Sequence, residues 1–235
     1  MRRFNSFDHV TFSRHVLDNE NRLLKELDIQ SRLIDLVKKP DGCKRFANAF
    51  YFVRYDFYRL NFIVGARCGP DERYWTGLAH SLYEESGGNG GKSHNQLYRD
   101  FLSDVGVKDE NTLREPTFAR EFNKSWVNFC TDSPFNEALS GLAIFEILDQ
   151  PDYAMLFEVV KNADISPGGL LFFKIHAQAE HFDFFEEIVD TLGKTPGGRA
   201  SLERAAAFVI QNQRMMWQGL LQCLTGSNAE NLGDV

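Results

Sequence analysis

The sequence predicts an all-α protein, and two observations carry this prediction. Apolar residues recur at the three- and four-residue spacing of an amphipathic helix along most of the 235-residue chain. No segment shows the strict alternation of apolar and polar residues between turns that a surface strand needs. The pattern also lacks a repeat or a low-complexity tract, so we expect a bundle of about seven to nine helices.

The first two predicted helices differ in character. Leu17 to Val37 carries apolar residues at helical spacing, and the pattern stops at the turn-forming sequence Pro40-Asp41-Gly42. Arg45 to Arg67 is instead rich in aromatic residues. We therefore predict that this second segment is a buried helix.

A glycine-rich break separates the next two predicted helices. Asp71 to Glu85 has a helical pattern, which ends at Ser86-Gly87-Gly88-Asn89-Gly90-Gly91 and resumes from His94 to Val105. Glycine adopts backbone conformations that other residues avoid, so we interpret the break as a flexible connector. The later predicted helices are Pro116 to Cys130, Phe135 to Leu148, Asp152 to Lys161, Gly168 to Leu192 and Leu202 to Leu224.

Composition narrows the class of protein. No Pro/Gly/Ser-rich linker divides the chain, so we predict a single domain over residues 1–235. The formal net charge of -7 argues against a nucleic-acid partner. The four cysteines are scattered and the N-terminal segment lacks the apolar core of a signal peptide, which favours a reducing cytoplasm. Apolar runs fall well short of the roughly 20 residues that cross a bilayer, so we expect no membrane partner.

The segment from Phe172 to Asp183 carries the clearest chemical signal. On one helix, His176, Glu180 and Asp183 would occupy positions i, i+4 and i+7 and therefore share one face. An imidazole and two carboxylates are costly to bury together unless a cation lies between them. Iron and manganese suit such a mixed set of ligands.

Three more residues are candidate ligands from other helices. Glu84 ends one predicted helix and His94 begins the next, while Glu146 lies within a strongly apolar stretch. Together with His176, Glu180 and Asp183, these residues give four carboxylates and two imidazoles. Such a set suits a dinuclear centre of two iron ions or of iron with manganese. We interpret His80 and Glu85 as neighbours of the ligands.

A non-enzymatic interpretation of the same residues stays open. A His and a Glu at i, i+4 often form a solvated face, and a mid-helix Glu is often an ion-pair residue. The chain would then be a helical protein-interaction module whose aromatic residues form the core or a partner surface. Iron stoichiometry separates the two interpretations.

In order and separation, these segments resemble the ligand-bearing stretches of the haem-oxygenase-like diiron oxidases and oxygenases. These are relatives of the Chlamydia protein associating with death domains and of a cyanobacterial nitrile synthase. The resemblance extends from roughly Phe50 to Leu192. It implies a haem-oxygenase-like bundle of about seven core helices, two non-haem metal ions and O₂ as a co-substrate.

The resemblance also implies roles for individual residues. The positions that match the family's motif are Glu84, His94, Glu146, His176 and Glu180. Family members usually carry a second His where this chain has Asp183, and Asp is an adequate ligand for iron or manganese. The metal ligands are the expected catalytic groups, without a further catalytic side chain.

The expected substrate is a small external amine or amino acid. The p-aminobenzoate-forming relatives sacrifice a Tyr near the N-terminus and use a Lys ten residues after the central Glu. Here the first Tyr is Tyr51 and the second position holds Leu156. We therefore expect an external substrate and an external electron donor, with nitrile formation as one outcome and a homodimer as one option for assembly.

The aromatic segment from Phe50 to Phe62 offers candidate substrate-binding residues. Within it we single out Arg54, Asp56, Tyr58 and Arg59. An arginine suits a substrate carboxylate, and aromatic rings suit an apolar side chain. The alternative is a packed helix with two surface ion pairs.

Two other activities are disfavoured. Ser86 to Ser93 nearly matches a phosphate-binding loop, but Leu78 to Glu85 before it is amphipathic rather than a buried strand. The thiamin-degrading relatives with the same fold require a nucleophilic Cys in the pocket. Cys130 is the mid-chain candidate, and its neighbours do not indicate an activated thiol.

Overall fold

The computed structural model describes residues 7–54, 57–69, 72–178 and 182–226, with only the backbone described at positions 73, 89, 182 and 183. Within these residues every regular element is helical, which confirms the all-α prediction. Short 3₁₀ turns at Gly88–Gly90 and Glu110–Thr112 accompany the α-helices. The α-helices are α1 (His9–Glu26), α2 (Ile29–Val37), α3 (Gly42–Arg54), α4 (Tyr58–Arg67), α5 (Glu72–Glu85), α6 (His94–Asp104), α7 (Thr117–Asp132), α8 (Phe135–Val160), α9 (Leu171–Gln178), α10 (Phe182–Gly193) and α11 (Pro196–Thr225).

Helix α8 is the central element of the bundle. It packs against α1, α2, α4, α7, α9, α10 and α11. Most of its residues are buried, and buried residues occur on all of its faces. A helix that is apolar all round is stable only inside a larger core, and the neighbouring helices provide that core.

The sequence predicted two helices where α8 is continuous. The predicted break between Phe135 to Leu148 and Asp152 to Lys161 falls at Pro151, which lies inside the observed helix. Proline removes one backbone donor and disfavours a helix interior. Here Asp152 and Tyr153 are buried immediately after it, so packing of the long helix outweighs the local penalty.

Two segments predicted as single helices are each seen as two. Leu17 to Val37 is divided between α1 and α2 at Asp28, whose φ of 49° lies in the left-handed region. Arg45 to Arg67 includes most of α3 and α4, with residues 55–56 between them outside the described part of the chain. The reversal at Asp28 lets both apolar faces reach the core, because both helices contact α8.

The segment from Gly168 to Leu192 also differs from its prediction. Helix α9 ends at Gln178 and α10 begins at Phe182, while residues 179–181 lie outside the described residues. His176 therefore belongs to α9, and the backbone of Asp183 belongs to α10. The predicted single helix through these positions is not seen in the described residues.

Helix α6 is fixed at its start and along its length. Ser93 caps its N-terminus by accepting a hydrogen bond from the backbone N–H of Gln96 at 3.1 Å. The Tyr98 hydroxyl donates to the Ala47 carbonyl of α3 at 2.8 Å. Helix α6 is therefore held in place on both sides of its first turn, where His94 lies.

None of the helices in the described residues combines the length and the apolar character that crossing a membrane requires.

Candidate metal centre and substrate cavity

Three described side chains bring metal-ligating atoms to one place. Glu85 is the last residue of α5, His94 is the first residue of α6, and His176 lies near the end of α9. Their ligand atoms all lie within 4.8 Å of one another. Helix ends and a glycine connector thus assemble a cluster that no single helix could present.

The connector reaches this geometry through Gly87. Its φ of 84° lies in the left-handed region, where glycine is favoured. A Cβ at this position would lie 2.5 Å from the Gly91 carbonyl oxygen and 2.7 Å from the Ser93 backbone nitrogen. The chain can therefore turn from Glu85 back to His94 because residue 87 has no side chain.

His176 is prepared as a neutral metal ligand. Its Nδ1 lies 2.7 Å from the Phe172 carbonyl, which can only accept, so Nδ1 carries the proton and Nε2 carries the lone pair. Nε2 is buried and has no hydrogen-bond partner. Burial, together with the neighbouring His94, lowers the pKa of His176 to about 3, so the ring stays neutral at physiological pH.

Aromatic packing fixes the orientation of the His176 ring. It stacks on Tyr153 with ring centroids 4.4 Å apart and an interplanar angle of 26°. Phe172 lies 4.4 Å from the same ring. Phe173 anchors α9 to α6 through an edge contact with Phe101 at 4.8 Å. The imidazole is therefore held before any ligand binds.

His94 and Glu85 face the same point as His176. His94 Nδ1 and Glu85 Oε2 are 2.9 Å apart, but Nδ1 has no partner in hydrogen-bond geometry. The His94 and His176 rings lie 4.5 Å apart. Burial raises the pKa of Glu85, but His94, His176 and Arg54 outweigh it and lower the pKa to about 2. Glu85 is therefore a carboxylate at any working pH.

These residues fit a metal ion. Two imidazoles and an ionised carboxylate are a donor set that iron and manganese accept. The lone pair on His176 Nε2 is buried without a partner, which is costly unless a ligand satisfies it. The hydrogen bond from Nδ1 to a backbone carbonyl is the support that metal-bound histidines usually have.

Glu146 is a half-buried carboxyl of α8 near this cluster. Its pKa is raised well above the ordinary value by burial first, and then by the negative charges of Asp149 and Glu85. It does not belong to the closely spaced group of three. A bound cation would relieve the excess of negative charge around it.

The structure places Glu85, rather than the predicted Glu84, in the close group. Glu84 lies 3.4 Å from His80 one turn earlier on α5, where both side chains are partly exposed. A sequence signal could have separated the two acids, because Leu78, Leu82 and Glu85 occupy positions i, i+4 and i+7. Leu78 is buried, so Glu85 lies on the inward stripe of α5.

The remaining predicted ligands are not described at the side-chain level. Glu180 lies outside the described residues, and only the backbone of Asp183 is described. Their assignment as ligands stays a prediction.

A cavity of about 230 Å³ adjoins the metal-ligating cluster. Its walls combine aromatic rings, small polar groups and the cluster itself. Its aromatic and cationic walls include Tyr51, Arg54, Tyr58, Phe62, Tyr98 and Phe172. Of the predicted substrate-binding residues, Arg54 and Tyr58 line the cavity, Arg59 is exposed and is not among the lining residues, and Asp56 lies outside the described residues.

Arg54 is an internal cation of this region. Its Nη2 donates to Asp149 Oδ2 at 3.0 Å, and both side chains are only 10% exposed. The guanidinium also lies over the Tyr153 ring at 5.2 Å. Nε and Nη1 are buried without a hydrogen-bond partner. Because Asp149 and the acids of the cluster hold it charged, the pKa of Arg54 is raised despite its burial.

Residues 44–211 match the family model described as iron-containing redox enzyme. The chain belongs to this family. The matched segment contains Glu85, His94 and His176, so the clustered ligand atoms lie inside the part of the chain that matches the family model. No curated protein matches the chain.

Solved structures confirm the haem-oxygenase-like fold of this iron-containing redox enzyme. A CADD-like protein of unknown function from Nostoc punctiforme PCC 73102 is 16% identical with a TM-score of 0.72, covering 94% of this chain and 99% of its own. A domain of unknown function with a haem-oxygenase-like fold from Shewanella denitrificans OS217 is 14% identical with a TM-score of 0.75, covering 97% and 98%. A TenA homologue from Pseudomonas syringae pv. tomato str. DC3000 is 13% identical with a TM-score of 0.63, covering 86% and 92%.

Proposed function

We propose that this iron-containing redox enzyme is an O₂-dependent oxidase or oxygenase with a dinuclear non-haem centre, acting on a small amine or amino acid. The observation that carries the proposal is the buried, unpartnered Nε2 of His176, which lies with His94 and Glu85 beside a small cavity. A neutral, buried imidazole and a partly buried carboxylate held close together favour a bound cation.

The proposed ligands divide into two groups. Glu85, His94 and His176 hold one ion through the closely spaced atoms. The second ion would use the other predicted carboxylates, which are Glu84, Glu146, Glu180 and Asp183. The raised pKa of Glu146 supports a second cation, because neighbouring acids disfavour its ionised form until positive charge is added. Two iron ions, or one iron with one manganese, suit this set.

The bound metal would supply the electrons and the binding site for O₂ reduction. The protein's own residues orient the ligands and limit the access of water. Tyr153 and Phe172 fix the ring of His176, and Phe172 also forms part of the cavity wall. Arg54 offsets the negative charge of Asp149 and the nearby ligand carboxylates.

The cavity favours a small substrate that carries an amine. Its volume of about 230 Å³ lies below the usual range for drug-sized ligands. Tyr51, Tyr58 and Phe62 offer aromatic faces, which attract an ammonium group and pack against an apolar one. Arg54 is the cationic lining residue for an amino-acid carboxylate, although it already binds Asp149. A nitrile is one product class of such an oxidation.

The proposed setting is a reducing cytoplasm, with an external electron donor and no nucleic-acid or membrane partner. The net charge of -7 supports the absence of a nucleic-acid partner. A homodimer is the proposed option for assembly.

Iron loading and O₂ consumption test the proposal together. Protein loaded with Fe(II) under anaerobic conditions should retain up to two iron ions per chain, as expected for a dinuclear site. It should consume O₂ faster with an amine or amino acid from a test panel than without one. Stopped-flow absorbance across the same panel should show a transient visible band with the true substrate.

A matched pair of histidine variants provides the control. His176→Ala should lower the bound iron, whereas His15→Ala, at an exposed position of α1, should leave it unchanged. Equal iron content in the wild-type protein and the His176→Ala variant would contradict the proposed centre.

A second candidate function is a helical protein-interaction module. Exposed aromatic residues on α4 and α5 favour it, because Phe62 is 57% exposed and Trp75 is 48% exposed. This function would require neither iron nor the cavity. A chain that binds no iron and consumes no O₂ would support it over the oxidase.

A further inference from the structure

A second group of buried acids comes from α1 and α8, and it shares no residue with the metal-ligating group. Glu20 of α1 is 0% exposed and Asp152 of α8 is 5% exposed. The negative charge of Glu20 raises the pKa of Asp152, which places the two carboxyls within electrostatic reach of each other. Neither residue is among the metal ligands proposed above.

Helix α11 donates one hydrogen bond to each of the two carboxyls. Trp217 Nε1 donates to Glu20 Oε1 at 3.1 Å, and Gln213 Nε2 donates to Asp152 Oδ2 at 2.7 Å. Gln213 and Trp217 are one helical turn apart, so they project from the same face of α11. Both donors are neutral.

Each carboxyl has a second oxygen without a partner. Glu20 Oε2 and Asp152 Oδ1 are buried and accept no hydrogen bond, and Gln213 Oε1 is also unpartnered. Among the described residues, neither Glu20 nor Asp152 forms an ion pair. Two neighbouring anions without an ion-pair partner are very costly to bury, and carboxyls in this situation retain a proton. A protonated oxygen also supplies the donor that these acceptors lack.

A row of acidic residues on α8 runs between the pair and the metal-ligating region. Glu146, Asp149 and Asp152 follow one another at three-residue spacing, so each is the surface neighbour of the next, and the row turns by about 120° around the helix from Glu146 to Asp152. Asp149 acts electrostatically on Asp152 and on Glu146. The row therefore leads from the buried pair to the acids beside the metal centre.

We propose that Glu20 and Asp152 form a buried carboxyl pair that stores a proton and donates it, through Asp149, to the O₂ chemistry of the metal centre. This role rests on the proposed oxidase function. In each transfer one carboxylic O–H bond breaks and the proton ends on reduced oxygen. The pair is left as a carboxylate and regains its proton along the same route from water in the cavity, which is left as hydroxide. Electrons come from the metal ions, the substrate and the external donor.

The charges that face the pair agree with this role. Burial raises the pKa of Glu20 to about 7, and the positive charge of Arg214 on α11 opposes the rise. Burial and then Glu20 and Asp149 raise the pKa of Asp152 well above its ordinary value, while Arg54 of α3 opposes them. A group that titrates near neutral pH is well suited to proton donation.

Infrared spectroscopy of the metal-free protein tests the stored proton directly. At pH 7 the wild-type protein should show the carbonyl stretch of a protonated carboxylic acid in a buried environment. Glu20→Gln and Asp152→Asn should each remove or shift their own part of this band, to which the Glu146 carboxyl also contributes, and Asp18→Asn, at an exposed position of α1, should change nothing. A missing band, or a band that neither variant changes, would overturn the proposal.

Kinetics of the iron-loaded protein test the donation step. Asp152→Asn should lower the rate of O₂ consumption at saturating substrate by about ten-fold or more, with unchanged iron content and KM, because it removes an acid–base group. Its solvent isotope effect should exceed that of the wild type. Glu20→Gln keeps the acceptor for Trp217 and provides a second variant if Asp152→Asn does not fold.

The two proposals fail in different ways. An unchanged rate, with no change in solvent isotope effect, in both folded variants would overturn the relay and leave the oxidase standing. A wild-type protein without iron-dependent O₂ consumption would overturn the oxidase and the relay together. In that case the infrared band would still decide whether the pair is protonated.

Discussion

Acidic residues of α8 are buried in two regions, and the groups that surround them differ between the two. Near Glu146, the acids face two imidazoles, a guanidinium and a cavity. Near Asp152, the hydrogen-bond donors are a neutral indole and a neutral amide. From this comparison we infer that the groups around a buried carboxylate decide whether it favours a metal ion or a proton. Near Glu146, imidazole lone pairs and a cavity that a metal ion can enter favour metal binding. Near Asp152, uncharged hydrogen-bond donors in a closed core favour a protonated carboxyl.

The largest expected effect comes from removing the internal cation. Arg54→Met leaves Asp149, Glu85 and Glu146 without their buried positive charge, so the metal-free protein should lose about 3–5 kcal/mol of unfolding free energy. Urea unfolding with and without Fe(II) measures this. Added Fe(II) should restore part of the loss, and the double variant Arg54→Met/Asp149→Leu should also be less affected. A loss below about 1 kcal/mol would show that Arg54 is not the counter-ion.

The next effect concerns the pH dependence of stability. Glu20 has its pKa raised from 4.5 to about 7 in the folded protein, so the folded state holds the proton more tightly than the unfolded state. Its contribution to stability is therefore full below pH 4.5 and is lost as the pH rises to about 7. The loss is on the order of 3 kcal/mol, from about 1.4 kcal/mol per pKa unit.

Glu20→Gln should flatten that pH dependence. Unfolding by urea at several pH values would measure the slope, and Asp18→Asn serves as the exposed control on the same helix. A variant as steeply pH-dependent as the wild type would show that the Glu20 carboxyl is already ionised near pH 5.

The two adjacent acids at the end of α5 offer a sharper test of the metal centre. Glu85→Gln should weaken iron binding by about 100-fold or more, because it removes an ionised ligand, and even the loss of a group that only supports a ligand costs about 10- to 100-fold. Glu84→Gln should weaken it less, since Glu84 also lies against His80. Calorimetric titration with Fe(II) under anaerobic conditions measures both. A larger loss of iron affinity in Glu84→Gln than in Glu85→Gln would show that Glu84 is the ligand.

The smallest effect separates two neighbours on α4. Tyr58 lines the cavity, so Tyr58→Ala should raise KM for the substrate by several-fold, about 1 kcal/mol of lost contact. Arg59 is exposed and outside the lining, so Arg59→Ala should leave KM unchanged. Steady-state O₂ consumption gives both values. A larger change in KM for Arg59→Ala than for Tyr58→Ala would indicate that the substrate binds outside this cavity.

The fold was largely predictable from the sequence because helical periodicity is a local property. The exceptions are places where packing or one backbone angle decides, such as Asp28 between α1 and α2 and Pro151 within α8. Spacing alone could not place such breaks, because each depends on contacts with distant helices.

The metal-ligating region was predictable in part. His94 and His176, which the spacing singled out, do lie together, with ring centroids 4.5 Å apart. The choice between Glu84 and Glu85 depends on a rotation of about 100° around α5, which the sequence specifies only through its apolar stripe. The pair of Glu20 and Asp152 had no signal in the sequence, because two distant helices bring it together through α11.

Anomalous X-ray diffraction at the iron edge tests the central claim most directly. Crystals grown anaerobically with Fe(II) should show an anomalous peak at bonding distance, about 2 Å, from His176 Nε2 and close to His94 and Glu85. A second peak should lie about 3.5–4 Å from the first, as in dinuclear centres. Iron peaks found only at the protein surface, with His176 Nε2 still without a ligand, would contradict the account.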